Sequence, residues 1–277
     1  MQKKILTLGF VTLLAVGACG TQTADPVTGS SGDEMMSEEE MMEGEEDKME
    51  SEDMASDENM EDGESSDEEM MEDAMVPHAD FTVKIDNISE DETILLAPGA
   101  WVVFSEGEPI FTAGEADRGL GLEALAEDGD PSGLGASLGE YMGVIETGVF
   151  NTPIDASDPG LLAPGGSYVF EFHAEEGNRL SFATMFVQSN DLFYASDGGG
   201  ITLFNEEGVP IGGDITEFIS LWDAGSEVNQ APGEGADQAP RQSGPDTGED
   251  EMGVVGLVDD GFVYPQNVLR VTINTMP

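Results

Sequence analysis

Residues 179–187 read Arg-Leu-Ser-Phe-Ala-Thr-Met-Phe-Val, an apolar run with almost no break. A strand with one wet face alternates polar and apolar side chains, whereas one that is apolar throughout needs cover on both faces. The run therefore predicts a central strand buried on both sides, and the surrounding segments are read against it. Residues 81–86 (Phe-Thr-Val-Lys-Ile-Asp) alternate, which predicts a half-buried strand facing inward through Phe81, Val83 and Ile85. The phrase Leu-Leu-Ala-Pro-Gly occurs at 95–99 and again at 161–165. Each copy reads as a turn between strands, the second strand of each pair covering 101–104 or 168–172. Two sheets, a duplication and chance all remain open as its origin. Residues 201–204, 215–222 and 267–274 read as further strands, the last with Leu269, Val271 and Ile273 on one face.

Two short helices are expected between these strands. Leu120, Leu122, Leu125 and Ala126 have helical spacing up to a stop at Asp128-Gly129-Asp130-Pro131, and residues 134–141 form the second candidate. Residues 231–252, rich in Gly, Pro and acids, read as a long loop. Short strands separated by Gly/Pro turns predict an all-β fold, an antiparallel β-sandwich with one or two short helices.

The N-terminal part has a different character. Lys3 and Lys4 precede an apolar run at 5–16 that is too short to span a membrane comfortably, and Val-Gly-Ala-Cys follows at 16–19. This pattern resembles a bacterial lipobox and predicts a leader over 1–18 and a lipidated Cys19. Several acyl chains there would hold the protein at a membrane. Thr21 stands two residues after Cys19 where an inner-membrane retention signal would carry Asp. The expected location is the bacterial cell envelope, at the outer membrane or the cell surface. Residues 33–73 are nearly all Asp, Glu, Ser, Gly or Met, with Lys48 the one cation. Such a segment has too little apolar surface to offset the entropy of ordering it, so 19–76 reads as a disordered acidic spacer before a domain over 77–277. The methionine pairs 35–36, 41–42 and 70–71 suit soft Cu(I), but hard carboxylates surround them.

The whole chain carries 59 Asp+Glu against 8 Lys+Arg, a formal charge of −51. Nucleic acid and anionic membrane surfaces would be repelled, while divalent cations and basic partners would be attracted. Cys19 is the single cysteine, so no internal disulfide framework exists. No nucleophile elbow, paired metal-hydrolase histidines or phosphate loop occurs, and the adjacent acids 175/176 and 259/260 would point to opposite faces of a strand. Enzymatic activity is not expected. His78 and His173 lie far apart in sequence, and neither shows an evident partner.

Three acids form the candidate site: Asp191, at the end of the apolar run, and Asp223 and Glu227, around an Ala-Gly turn. Two carboxylates four residues apart across a turn can bend toward one point, with Asp191 as a third arm. Calcium takes about six to eight oxygens at roughly 2.3–2.6 Å and tolerates irregular loops. The competing reading makes Asp191 and Asp223 turn residues that cap backbone amides. Asp128-Gly129-Asp130 looks like part of a calcium loop but lacks the glutamate that completes one, and it reads better as a helix stop.

Residues 181–191 (SFATMFVQSND) and 222–227 (WDAGSE), in this order, resemble the spondin N-terminal domain family over about 81–273, and 126–134 (AEDGDPSGL) is similar to its bacterial branch. The resemblance implies an antiparallel sandwich similar in outline to C2 domains, with calcium held by acidic loop residues. The family's ligands would fall on Asp191, Asp223 and Glu227, where animal members usually carry Asp in place of the last. It also implies a surface-anchored module that binds an extracellular protein or glycan in adhesion or matrix attachment. The thrombospondin-type repeats that follow the domain in F-spondin and mindin have no counterpart in this sequence. A structural envelope protein without a soluble ligand, and metal capture by the acidic, methionine-dotted segment, are the alternatives.

Overall fold

The structure, a computed structural model, describes residues 76–276. The expected leader, Cys19 and the acidic segment with its methionine pairs lie outside the described residues. Two antiparallel sheets make the fold. The smaller has the order β4 (Ser167–Glu175), β1 (His78–Asn87), β11 (Leu269–Thr275), β8 (Gly213–Asp214). The larger runs β10 (Gly256–Leu257), β9 (Ser220–Asp223), β6 (Leu192–Ala195), β5 (Arg179–Phe186), β2 (Leu96–Phe104), β3 (Val144–Phe150), with β7 (Ile201–Thr202) paired to β5. Two short helices, α1 (Leu122–Asp128) and α2 (Ser132–Leu138), complete it. The chain is an all-β sandwich.

β5 lies inside the larger sheet, and every one of its residues after Arg179 is buried. Leu180, Phe182 and Phe186 enter the core between the sheets, which also holds Phe81, Val83, Ile85, Val271 and Ile273. Trp101 stacks on Phe170 there, ring centres 5.3 Å apart and planes 9° apart. Ala183 joins a second core on the sheet's other face, built with Phe193 and Trp222 against Leu122 and Leu125 of α1 and Leu134 and Leu138 of α2. The unbroken apolar run is thus explained by three layers, and the helices supply the outer one.

Local readings differ from the structure in instructive ways. Ala163-Pro164-Gly165 is a turn, closed by a hydrogen bond from Gly166 N to Ala163 O. Ala97-Pro98-Gly99 is no turn: β2 runs straight through it, with its register against β5 shifting between Leu96 and Gly99. A bulge is where a strand tolerates the missing N–H of proline. The two copies of the phrase also meet, because Leu96 and Leu162 exchange backbone hydrogen bonds of 3.2 and 2.8 Å. The strand expected over 215–222 splits into a short 3-10 turn, Thr216–Phe218, and β9. Of 201–204, only Ile201–Thr202 is strand. α1 ends at Gly129 as expected, but α2 begins and ends earlier than its apolar spacing suggests.

Candidate metal centre

The site forms where two strand ends meet. β5 turns into β6 through residues 187–191, tightened by Ser189, whose Oγ donates to Phe186 O (2.5 Å) and accepts from Leu192 N (3.1 Å). Leu192 pairs with Asp223, the last residue of β9, so Asp191 and Asp223 arrive at one end of the larger sheet. Asp191 is fully buried. Its Oδ2 accepts from Ser226 N (2.8 Å), Ser226 Oγ (3.3 Å) and Glu227 N (3.1 Å). Its Oδ1 is buried and has no hydrogen-bond partner.

Asp223 Oδ1 accepts from Gly225 N at 2.7 Å, and its Oδ2 accepts from Asn229 Nδ2 at 2.5 Å. Gly225 has φ 69°, and a Cβ there would stand 2.6 Å from Val254 N, so only glycine suits this turn. Residues 226–228 then line up with 249–251: Val228 N donates to Glu249 O and Glu251 N to Ser226 O, both at 2.8 Å. That pairing brings Glu251 to the site. One carboxylate oxygen from each of Asp191, Asp223 and Glu251 lies within 4.8 Å of the others.

Glu227 stands apart from this trio. It is buried, its Oε2 accepts from Asn190 Nδ2 (3.1 Å) and its Oε1 from Gly248 N (2.7 Å). A Cβ on residue 248 would lie 2.1 Å from Glu227 Cδ, so the carboxylate and Gly248 fit each other closely. Glu227 clasps the second loop from within, and that clasp holds the segment leading to Glu251.

Burial first, and neighbouring negative charge second, raises the pKa of these acids. Burial, then the Asp223 charge, pushes Asp191 up to about 7 against the pull of its amide hydrogen bonds. Burial also raises Asp223, and Glu251 is raised by burial and then by Asp223 and Asp260. Beside them, Glu127 of α1 is buried and pushed up to about 8, first by burial and further by Glu227, Glu123 and Asp191. Glu127, Glu123 and Asp246 form a second acidic group of similar closeness. Among the described residues, no lysine or arginine forms an ion pair with any of these acids.

A buried carboxylate oxygen with no donor is costly unless something positive reaches it. Asn229 Oδ1, beside Asp223, is likewise buried and without a partner. The available donors are all oxygens, on loops and at the end of β9, which fits a hard cation such as calcium and offers nothing to a soft one. Asp191, Asp223 and Glu251, with Asn229, are the residues able to hold it.

The sequence singled out Asp191 and Asp223 and the structure brings them together. Glu251 and Asn229 were missed. The signal for Glu251 was the acidic run 249–251 inside the long loop. The two histidines also differ from expectation: β1–β4 register makes them neighbours, with ring centres 5.6 Å apart, and His173 Nδ1 stands 2.8 Å from Asp80 Oδ1. No family model matches the chain, and no curated protein matches it.

Proposed function

We propose that the domain is a calcium-stabilised binding module of the spondin type, carried on a lipid-anchored envelope protein through Cys19 and presented to an extracellular macromolecule. The observation that carries the metal part is the buried, partnerless Oδ1 of Asp191 beside Asp223 and Glu251. A cation there neutralises carboxylates that otherwise repel, and it ties together three loops distant in sequence. Its role is structural: it fixes the shape of the loop surface, and no reaction step is assigned to it. Exposed Met252, Val254, Phe262 and Val263 lie on the segments that follow the acidic end, and such apolar side chains favour a protein partner over a glycan.

The test is thermal unfolding of the purified protein in calcium and in chelator, beside an Asp191→Ala, Asp223→Ala double variant. At calcium 100-fold above its Kd, binding to the native state alone adds about 2.7 kcal/mol. For a domain of this size that corresponds to a Tm rise of roughly 5–10 °C. The rise is expected in the parent protein and absent in the variant. Equal curves in calcium and chelator for the parent would reduce these acids to turn residues. Deleting residues 33–73 separates the binding module from metal capture by the acidic segment: the module retains its calcium response without them.

A further inference from the structure

We propose that His78 and His173 form a second metal site, for a divalent transition-metal ion of the Cu(II) or Zn(II) kind, on the outward face of the smaller sheet. These are the chain's two histidines, ninety-five positions apart, and strand pairing places them side by side. His78 lies opposite Glu175 and Asp80 opposite His173, so the imidazoles occupy a diagonal across β1 and β4. His173 N donates to Glu146 Oε2 and Glu175 N to Asn178 Oδ1, so neither amide bonds to β1. The pairs are therefore of the closer, non-hydrogen-bonded type, which brings outward side chains together.

Ring orientation supplies the second argument. His173 Nδ1 faces Asp80 Oδ1 at 2.8 Å, and His78 Nδ1 faces the carbonyl oxygen of Val76 at 3.2 Å. A carboxylate and a carbonyl only accept, so each Nδ1 carries the hydrogen in the neutral ring. Each Nε2 is then left with its lone pair and has no hydrogen-bond partner among the described residues. Fixing one nitrogen by an acceptor so that the other can ligate is the usual support of a metal-binding histidine. An ion about 2.1 Å from each Nε2 would stand roughly 3 Å from each ring centre. Centres 5.6 Å apart are therefore spaced for one ion between them.

Glu171 and Glu175 of β4 share the exposed face and add negative charge, while Lys84 of β1 is held by Asp86 at 2.6 Å. The donor set separates this site from the acidic one: imidazole nitrogen suits copper and zinc, whereas the Asp191 group offers only oxygen. Asp80 acts here as a positioning residue through His173.

The experiment is Cu(II) titration of the purified protein in millimolar calcium, which occupies the carboxylates. Affinity is read by calorimetry and ligation by electron paramagnetic resonance. One copper per chain, coupled to two imidazole nitrogens, is expected. His78→Ala or His173→Ala should weaken it at least tenfold and remove one coupling. Asp80→Asn should weaken binding while both couplings persist. All three side chains are exposed, so the metal-free Tm of each variant should match the parent. Oxygen-only ligation, a single nitrogen coupling in the parent, or unchanged affinity in the His78→Ala, His173→Ala double variant would each overturn the proposal.

Discussion

Glu227 and Glu251 serve the same pair of loops, yet their carboxylates meet different partners. The former is buried and accepts from Asn190 and Gly248, and the latter is exposed and faces Asp191 and Asp223. Replacing Glu227 by Gln puts an NH2 where one of two donors needs an acceptor, which costs about 1–3 kcal/mol. Glu227→Gln should therefore lower the Tm equally in calcium and in chelator. Glu251→Gln should leave the stability in chelator within about 0.5 kcal/mol of the parent, as surface changes do, and should shrink the calcium-induced rise in Tm. If Glu227→Gln altered only the calcium response, Glu227 would be a ligand. Asp191 and Asp223 were legible because each borders a strand, Asp191 just before β6 and Asp223 at the end of β9, and their signals are local. Glu251 was not, because it reaches the site through backbone pairing between 226–228 and 249–251, and no periodicity announces that pairing. The histidine pair escaped notice for the same reason: its closeness is a matter of register between β1 and β4.

At the level of elements, β5 shows how an apolar run dictates its surroundings. Its Phe182 face packs toward the smaller sheet and its Ala183 face toward the helices. α1 is too short to be stable by itself and is held by what it covers. Leu125→Ala should cost about 2–5 kcal/mol, the usual range for a buried leucine, with a matching fall in the denaturant midpoint. A loss under about 0.5 kcal/mol would mean that α1 only lies over a sheet already stable without it. Strands with clean alternation, β1, β4 and β11, were readable in advance, as was β5. The Ala-Pro-Gly phrase was readable at 163–165 and misread at 97–99, since local chemistry is identical and only pairing with β5 keeps the 97–99 copy extended. Residues 215–222 misled for a related reason: the apolar content is that of a strand, but Asp214 Oδ1 accepts from Thr216 N at 2.9 Å and starts a turn.

Taken as a whole molecule, the protein binds protons in a direction opposite to that of a chain with well-paired acids. Asp191 is raised from 3.8 to about 7 and Glu127 from 4.5 to about 8. Between roughly pH 4 and pH 8 the folded state therefore holds more protons than the unfolded one, so stability falls as pH rises through that window. In chelator, the Tm should drop from pH 5 to pH 8. The Asp191 contribution alone is on the order of a few kcal/mol. Asp191→Asn should flatten the profile, and saturating calcium should do the same in the parent. A Tm that climbs with pH in chelator would show these carboxyls ionised without cost. Strand order has a separate consequence, one of timing. β1, the first strand, lies between β4 and β11, with Phe81 opposite Thr275 and Asn87 opposite Leu269. A ribosome releases β1 long before β11 exists, so one edge of the first strand stays open through most of synthesis. The smaller sheet can close only after translation has passed residue 275, and until then β1 is an unprotected edge on which two nascent chains can pair with each other.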